Sequence, residues 1–183
     1  MKLNKIMMAA VLAFGVSSVA HAADLQDQGH GTVTFTGAII DAPCSINPDS
    51  VDQTVNLGQI SNVALKGGGK STPRNFFIKL ENCDLTTTGA DKNNTVKLTF
   101  TGAASSAVPG LLGITGTAKG AGIAITDGSG NNIKLGTATD AQTLQDGNNT
   151  LSFAAYLQGA AASTTAIVPG EFQSVADFTL AYQ

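Results

Sequence analysis

The sequence has no tryptophan and only two tyrosines, two cysteines and two histidines, and 13% of its 183 residues carry charge. Each shortage excludes something. The charged share is about half the ~25% usual in soluble domains, while 43% of the residues are apolar, which is not the composition of a disordered chain. Ten basic residues against thirteen acidic ones, with a pI near 5.1, offer no cationic surface for a phosphate backbone, so no nucleic-acid partner is expected. Without Trp there is little from which to build the aromatic platforms usual in sugar sites. Two Cys and two His, with no close spacing, cannot supply a four-ligand zinc set, so neither a metal nor any other cofactor is expected.

What is present begins with an export signal. Lys2 and Lys5 precede an apolar run from Ile6 to Val19, and Ala20-His21-Ala22 fits the small-residue cleavage pattern. Fourteen residues are too few to cross a bilayer, and no later segment is long enough either. The expected mature chain starts at Ala23 and holds 161 residues, one domain in size, with His30 its sole histidine. Loss of Lys2 and Lys5 leaves eight basic against thirteen acidic residues, a formal charge of −5. In an oxidising compartment Cys44 and Cys83 are most simply one disulfide.

The rest of the chain alternates with period two between turn residues, the mark of half-buried strands. Val33, Phe35, Gly37 and Ile39 alternate with Thr32, Thr34, Thr36 and Ala38. The pattern recurs at Val55 and Leu57, at Phe76, Ile78 and Leu80, and at Val96, Leu98 and Phe100. Ile123-Ile125 and Ile133-Leu135 read as a hairpin across the turn at residues 127–132. Leu151, Phe153 and Ala155 follow, and Phe178, Leu180 and Tyr182 close the chain. About eight short strands separated by turns predict an all-β fold, an antiparallel sandwich. The strand over residues 32–40 lies outside the cysteine loop and follows a polar Gly-containing stretch, so little ties it to the rest.

Apparent chemical motifs are weak. Lys66-Gly67-Gly68-Gly69-Lys70-Ser71-Thr72 has the end of a phosphate-binding loop, but Ala64 stands where its first glycine belongs, and Pro73 and a strand follow where a helix is required. His30, between two glycines in a flexible segment, is not held as a general base, and no Gly-x-Ser-x-Gly elbow occurs. Asp127-Gly128-Ser129-Gly130-Asn131 lacks the distal Glu of a calcium loop. No catalytic residues are assigned, and an enzyme is not expected.

Three features stand together: the Gly31 to Gly37 alternating strand after a signal peptide, the Ala42-Pro43-Cys44-Ser45-Ile46 and Glu81-Asn82-Cys83 pair, and the alternating end Ala181-Tyr182-Gln183. With Asp52-Gln53-Thr54-Val55-Asn56-Leu57-Gly58 between them, this set resembles the fimbrial subunits of the chaperone–usher route, most of all the major pilins of P-type and mannose-resistant fimbriae. The resemblance implies an incomplete immunoglobulin-like β-sandwich, missing its last strand, over residues 43–183. Residues 23–42 become an N-terminal donor-strand extension, with Val33, Phe35, Gly37 and Ile39 inserted into a neighbouring subunit. Phe178, Leu180, Tyr182 and Gln183 become the strand bordering the groove, contacted first by a periplasmic chaperone, whose basic residues hold the Gln183 carboxylate, and then by the next subunit at the outer-membrane usher. The product is a homopolymeric rod on the bacterial surface used in adhesion. Open alternatives are a minor or adaptor pilin, a secreted glycan- or protein-binding sandwich, and a closed domain in which residues 32–40 are simply the first strand. A hydrolytic exoenzyme is the weakest reading.

Overall fold

In the computed structural model, residues 28–86, 88–89, 92–161 and 165–183 are described. The expected signal segment, residues 1–22, lies outside them. The chain divides into two units, Met1–Ile39 and Ile40–Gln183; the sequence reading places this boundary between residues 42 and 43.

In the first unit, residues 28–39 form neither helix nor strand and all are exposed. The strand expected over residues 32–40 is absent. Alternation alone does not make a strand. It takes a hydrogen-bonded neighbour, and none of these residues pairs in a ladder.

In the second unit nine strands form two facing layers and one small pair. They are β1 (Ser45–Ile46), β2 (Arg74–Cys83), β3 (Thr95–Gly102), β4 (Thr115–Gly116), β5 (Ala121–Asp127), β6 (Gln142–Thr143), β7 (Gly147–Gly159), β8 (Phe172–Gln173) and β9 (Ala176–Tyr182). The first sheet runs β1-β2-β7-β5, the second β6-β3-β9, and β4 pairs with β8. Every named pair is antiparallel. A short helix, α1 (Pro48–Val51), follows β1, its start capped by Asn47, whose side chain accepts from the Asp49 N–H.

The core follows from the period-two pattern. Ile78 and Leu80 of β2, Leu151 and Phe153 of β7 and Ile125 of β5 meet Val96, Leu98 and Phe100 of β3. Phe153 lies stacked on Phe76 at 5.6 Å and edge-on to Phe100 at 5.2 Å, ring centre to ring centre. Such ring pairs add about 0.5–1.5 kcal/mol beyond the area they bury. The Cys44–Cys83 disulfide forms, is buried, and clamps the start of the body to the end of β2. A second apolar cluster, built on Leu65, Ala121 and Leu157, lies at the other end of the body.

Two local readings need correction. Ile133 and Leu135 form no strand: the turn is there, and the Ile133 N–H donates to Ile125 O, but β5 takes β7 as its ladder partner. Val55 and Leu57, which alternate with Thr54 and Asn56, turn partly inward together with Ile60, yet none of them joins a ladder.

Two substitutions probe this core. Phe153→Ala should destabilise by about 3–5 kcal/mol, and Cys44→Ser by about 2–5 kcal/mol. Both are read from denaturant unfolding of otherwise intact protein, and an unchanged midpoint would contradict the assigned packing.

Candidate functional site: an open groove beside the last strand

The weak motifs have structural explanations. Residues 62–68 form a 3-10 helix, and Lys70 bridges to Gln158 at the end of β7. A Cβ at Gly69 would strike the Ala64 carbonyl, and one at Gly159 the Leu65 carbonyl, so these glycines permit close backbone packing. Lys70 Nζ sits 5.1 Å from the centre of the Tyr156 ring, an amino–aromatic contact. The Asp127 carboxylate accepts from the backbone N–H groups of Ser129 and Asn131 and from the Asn131 side chain. The bonds from Asn131, backbone first, hold its carboxyl below the usual range, and they close a turn. Among the described residues, no group of three His, Cys, Asp or Glu side chains could hold a metal ion. His30 is exposed.

Among the described residues a groove of ≈ 1390 Å³ opens on the body, larger than the ~300–1,000 Å³ of small-molecule sites. Phe76, Ile78, Phe100, Ile125 and Leu157 line it, and they come from both layers. One rim is the unladdered segment 51–60, and the other is the segment 167–178 that leads into β9. The groove spans both apolar clusters, so the cores at the two ends of the body share one open side.

β9 shows why the side is open. It pairs with β3 alone. Its inward side chains Ala176, Phe178, Leu180 and Tyr182 remain partly exposed, although their partners on β3 are sealed: Val96 and Leu98 at 0% and Phe100 at 3%. The backbone tells the same story. Thr95 and Gln183 exchange two hydrogen bonds, at 3.0 and 2.9 Å. Antiparallel alternation then turns Ala181, Thr179 and Asp177 toward β3, and the N–H and C=O groups of Tyr182, Leu180, Phe178 and Ala176 toward the empty side. Four residues therefore present both apolar side chains and unladdered backbone to one vacancy.

The candidate residues divide accordingly. Phe178 lines the groove, and Leu180 and Tyr182 continue the same edge and pack on the main core. Gln183 is tied back to Thr95, whose hydroxyl also donates to its carbonyl. Val33, Phe35 and Ile39 are 75%, 89% and 104% exposed, and nothing lies within 4 Å of a Cβ built on Gly37. Ile167 to Val175, which precede β9 on the same rim of the groove, carried no expectation from the sequence. Their short apolar positions are broken by Pro169 and Gly170 and carry no sustained alternation.

A family model described as fimbrial protein matches residues 33–183. The chain belongs to the fimbrial protein family. This fimbrial subunit is 70% identical over 183 residues to the Fimbria A protein of Serratia marcescens, with both chains covered in full. It is 56% identical over 184 residues to the major MR/P fimbria protein of Proteus mirabilis, again covering both. Among solved structures, a chaperone–usher pilus determined for the molecular basis of rod uncoiling matches with a TM-score of 0.75 at 40% identity. That match covers 85% of this chain and 97% of the other.

One side chain at the open edge yields a test. Tyr182 Oη is buried without a hydrogen-bond partner, and burial pushes its phenol above the ordinary value of 10.0. The folded state holds the proton more tightly than the unfolded state does. This contribution is therefore complete below pH 10 and is lost as pH rises through the folded-state value. Tyr182→Phe removes an unpaired buried hydroxyl, so it should leave stability at pH 7 unchanged or raise it by up to about 1 kcal/mol. It should also flatten the alkaline loss. Unfolding midpoints at pH 7 and above pH 10 check both, and a clear destabilisation at pH 7 would show that the hydroxyl is bonded.

Proposed function

We propose that the protein is the major structural subunit of a chaperone–usher fimbria, polymerised head to tail by donor-strand exchange into a rod on the cell surface. The observation that carries this reading is the open groove beside β9. A solitary chain exposes there an apolar channel, and along one edge of it a row of backbone groups without partners. The occupant matching that demand is an extended strand with alternating apolar side chains, because the groove lacks one strand and the sheet edge demands main-chain bonds.

Residues 32–40 have this form, and Val33, Phe35, Ile39 and Ile40 within them are exposed. Running antiparallel to β9, the segment from a second copy would face Tyr182, Leu180, Phe178 and Ala176, the four residues with outward backbone groups. Val33, Phe35 and Ile39 enter the groove at about 1.5–3 kcal/mol of burial each, and each new backbone bond adds about 1 kcal/mol. Gly37 is the one inward position without a side chain. It lets the strand pass where a rim side chain, Phe178, already occupies the channel. Each copy carries one segment and one groove, so a head-to-tail contact that does not close on itself repeats into an open filament.

The groove must also be covered before assembly, since its apolar surface would otherwise aggregate. A periplasmic chaperone strand fills it first, and exchange takes place at the outer-membrane usher. The role is structural, with no catalytic step.

Deletion of residues 23–40 tests this. Co-expressed with its chaperone and usher, the intact chain should give a ladder of multimers on a gel loaded without boiling. The deleted chain should accumulate with chaperone and give no ladder. Fibres of normal length from the deleted chain would refute donor-strand linkage.

A further inference from the structure

The two ends of the body carry opposite charge. β2 runs from Arg74 to Cys83 and β7 returns from Gly147 to Gly159, so Lys70 and Asp84 stand at opposite ends of a span of about 30 Å at ~3.3 Å per residue. Around the first end, Gly68 N–H donates to Ala160 O, and Ala160 N–H to Gly120 O. These bonds gather Lys66, Lys70 and Lys119, all exposed, with Glu171 and Asp177 the acids of the adjoining rim. At the other end Asp84 N–H donates to Pro43 O, and Leu85 N–H to the Asp146 carboxylate. Asp41, Asp84 and Asp146 are exposed there, with Lys92 on the neighbouring loop. The cationic end also shows unburied apolar side chains, Val63 at 65%, Val168 at 41% and Val175 at 66%.

The first end is where β9 begins, because Lys119 and Val168 exchange backbone hydrogen bonds of 3.1 and 3.0 Å just before β8 and β9. A strand lying antiparallel to β9 therefore leaves the groove at the cationic end. Within a few residues its chain becomes Ile40, Asp41 and the Pro43–Cys44 start of the next body. We propose that this end is a second docking surface, for the acidic leading end of the next copy of this chain. Lys66, Lys70 and Lys119 of one subunit face Asp41, Asp84 and Asp146 of the following one, and Ile40 covers the exposed valines. This inference rests on the donor-strand reading and adds to it. The strand supplies the lasting bond, and the charged ends steer the approach and set how one subunit is turned against the next. A parallel insertion would bring the acidic end of one copy against the acidic end of the other, so the charge pattern also selects the direction of the strand.

Electrostatic steering acts chiefly on association rate and is screened by salt. The test follows multimer formation by purified chaperone-bound full-length subunits on unboiled gels, at 50 mM and 500 mM NaCl. The acceptor variant is Lys66→Glu with Lys119→Glu, and the leading-end variant is Asp41→Lys with Asp84→Lys. Wild-type assembly should slow several-fold in high salt. Either variant alone should assemble about tenfold more slowly than wild type at low salt and gain rate as salt rises. The two variants combined in one chain should recover to within about twofold of wild type. Equal chaperone-bound yield and melting temperature control for folding. Wild-type rates in both variants, or a combined variant no faster than either alone, overturn the docking surface while leaving strand exchange standing. A wild-type chain that forms no resistant multimers at all overturns the donor-strand reading instead.

Discussion

The structure depends on one unpaired strand edge. β9 closes the second sheet on the β3 side and leaves the other side open, so a whole row of apolar side chains and backbone groups awaits a neighbour. Every sheet protein must manage its edges, and most do so with charge, proline, bulges or a covering loop. Here β9 carries alternating Ala176, Phe178, Leu180 and Tyr182 on the open side, with one charge, Asp177, and no proline within it. A sealed core on three sides and an open fourth means that the fold stays incomplete without a strand from elsewhere. In that sense quaternary assembly is the last step of tertiary folding.

The remaining architecture holds that opening in shape. The disulfide fixes the start of the body to the end of β2, so tension along a fibre would pass from the extension into the central sheet rather than into a loop. The aromatic group of Phe76, Phe100 and Phe153 fills the space between the layers next to the groove floor. Close backbone packing at Gly69 and Gly159 ties the 3-10 segment to the end of β7, and the contacts of Thr117 and Lys119 with Glu171 and Val168 hold the far rim. The groove is thus walled by ordinary hydrogen bonds and packed glycines.

Much of this was legible in the sequence. Strands with strict alternation, such as Phe76 to Leu80, Val96 to Phe100 and Phe178 to Tyr182, declared both their conformation and their inward faces. The cysteine pair followed from export and parity. Alternation reports which face is apolar and cannot report whether a ladder partner exists. Residues 32–40 alternate, as do Val55 and Leu57 with their neighbours, and neither stretch joins a ladder among the described residues. The hairpin expected at Ile133 shrinks to a turn with one isolated bridge, Thr126 to Asn132, and the Ile133–Ile125 hydrogen bond on the free edge of β5. The rim from Ile167 to Val175 was illegible, since its position depends on contacts with residues 115–119, more than forty positions away.

Amide hydrogen exchange along β9 tests the central claim most directly. It would compare assembled fimbriae with the chaperone-free chain lacking residues 23–40. The account predicts slow exchange at Asp177, Thr179 and Ala181 in both, because these amides bond to β3. Phe178, Leu180 and Tyr182 should exchange fast in the strandless chain and slowly in the fibre. Equal protection of all six amides in the strandless chain would contradict it, as would fast exchange at Phe178, Leu180 and Tyr182 in the fibre.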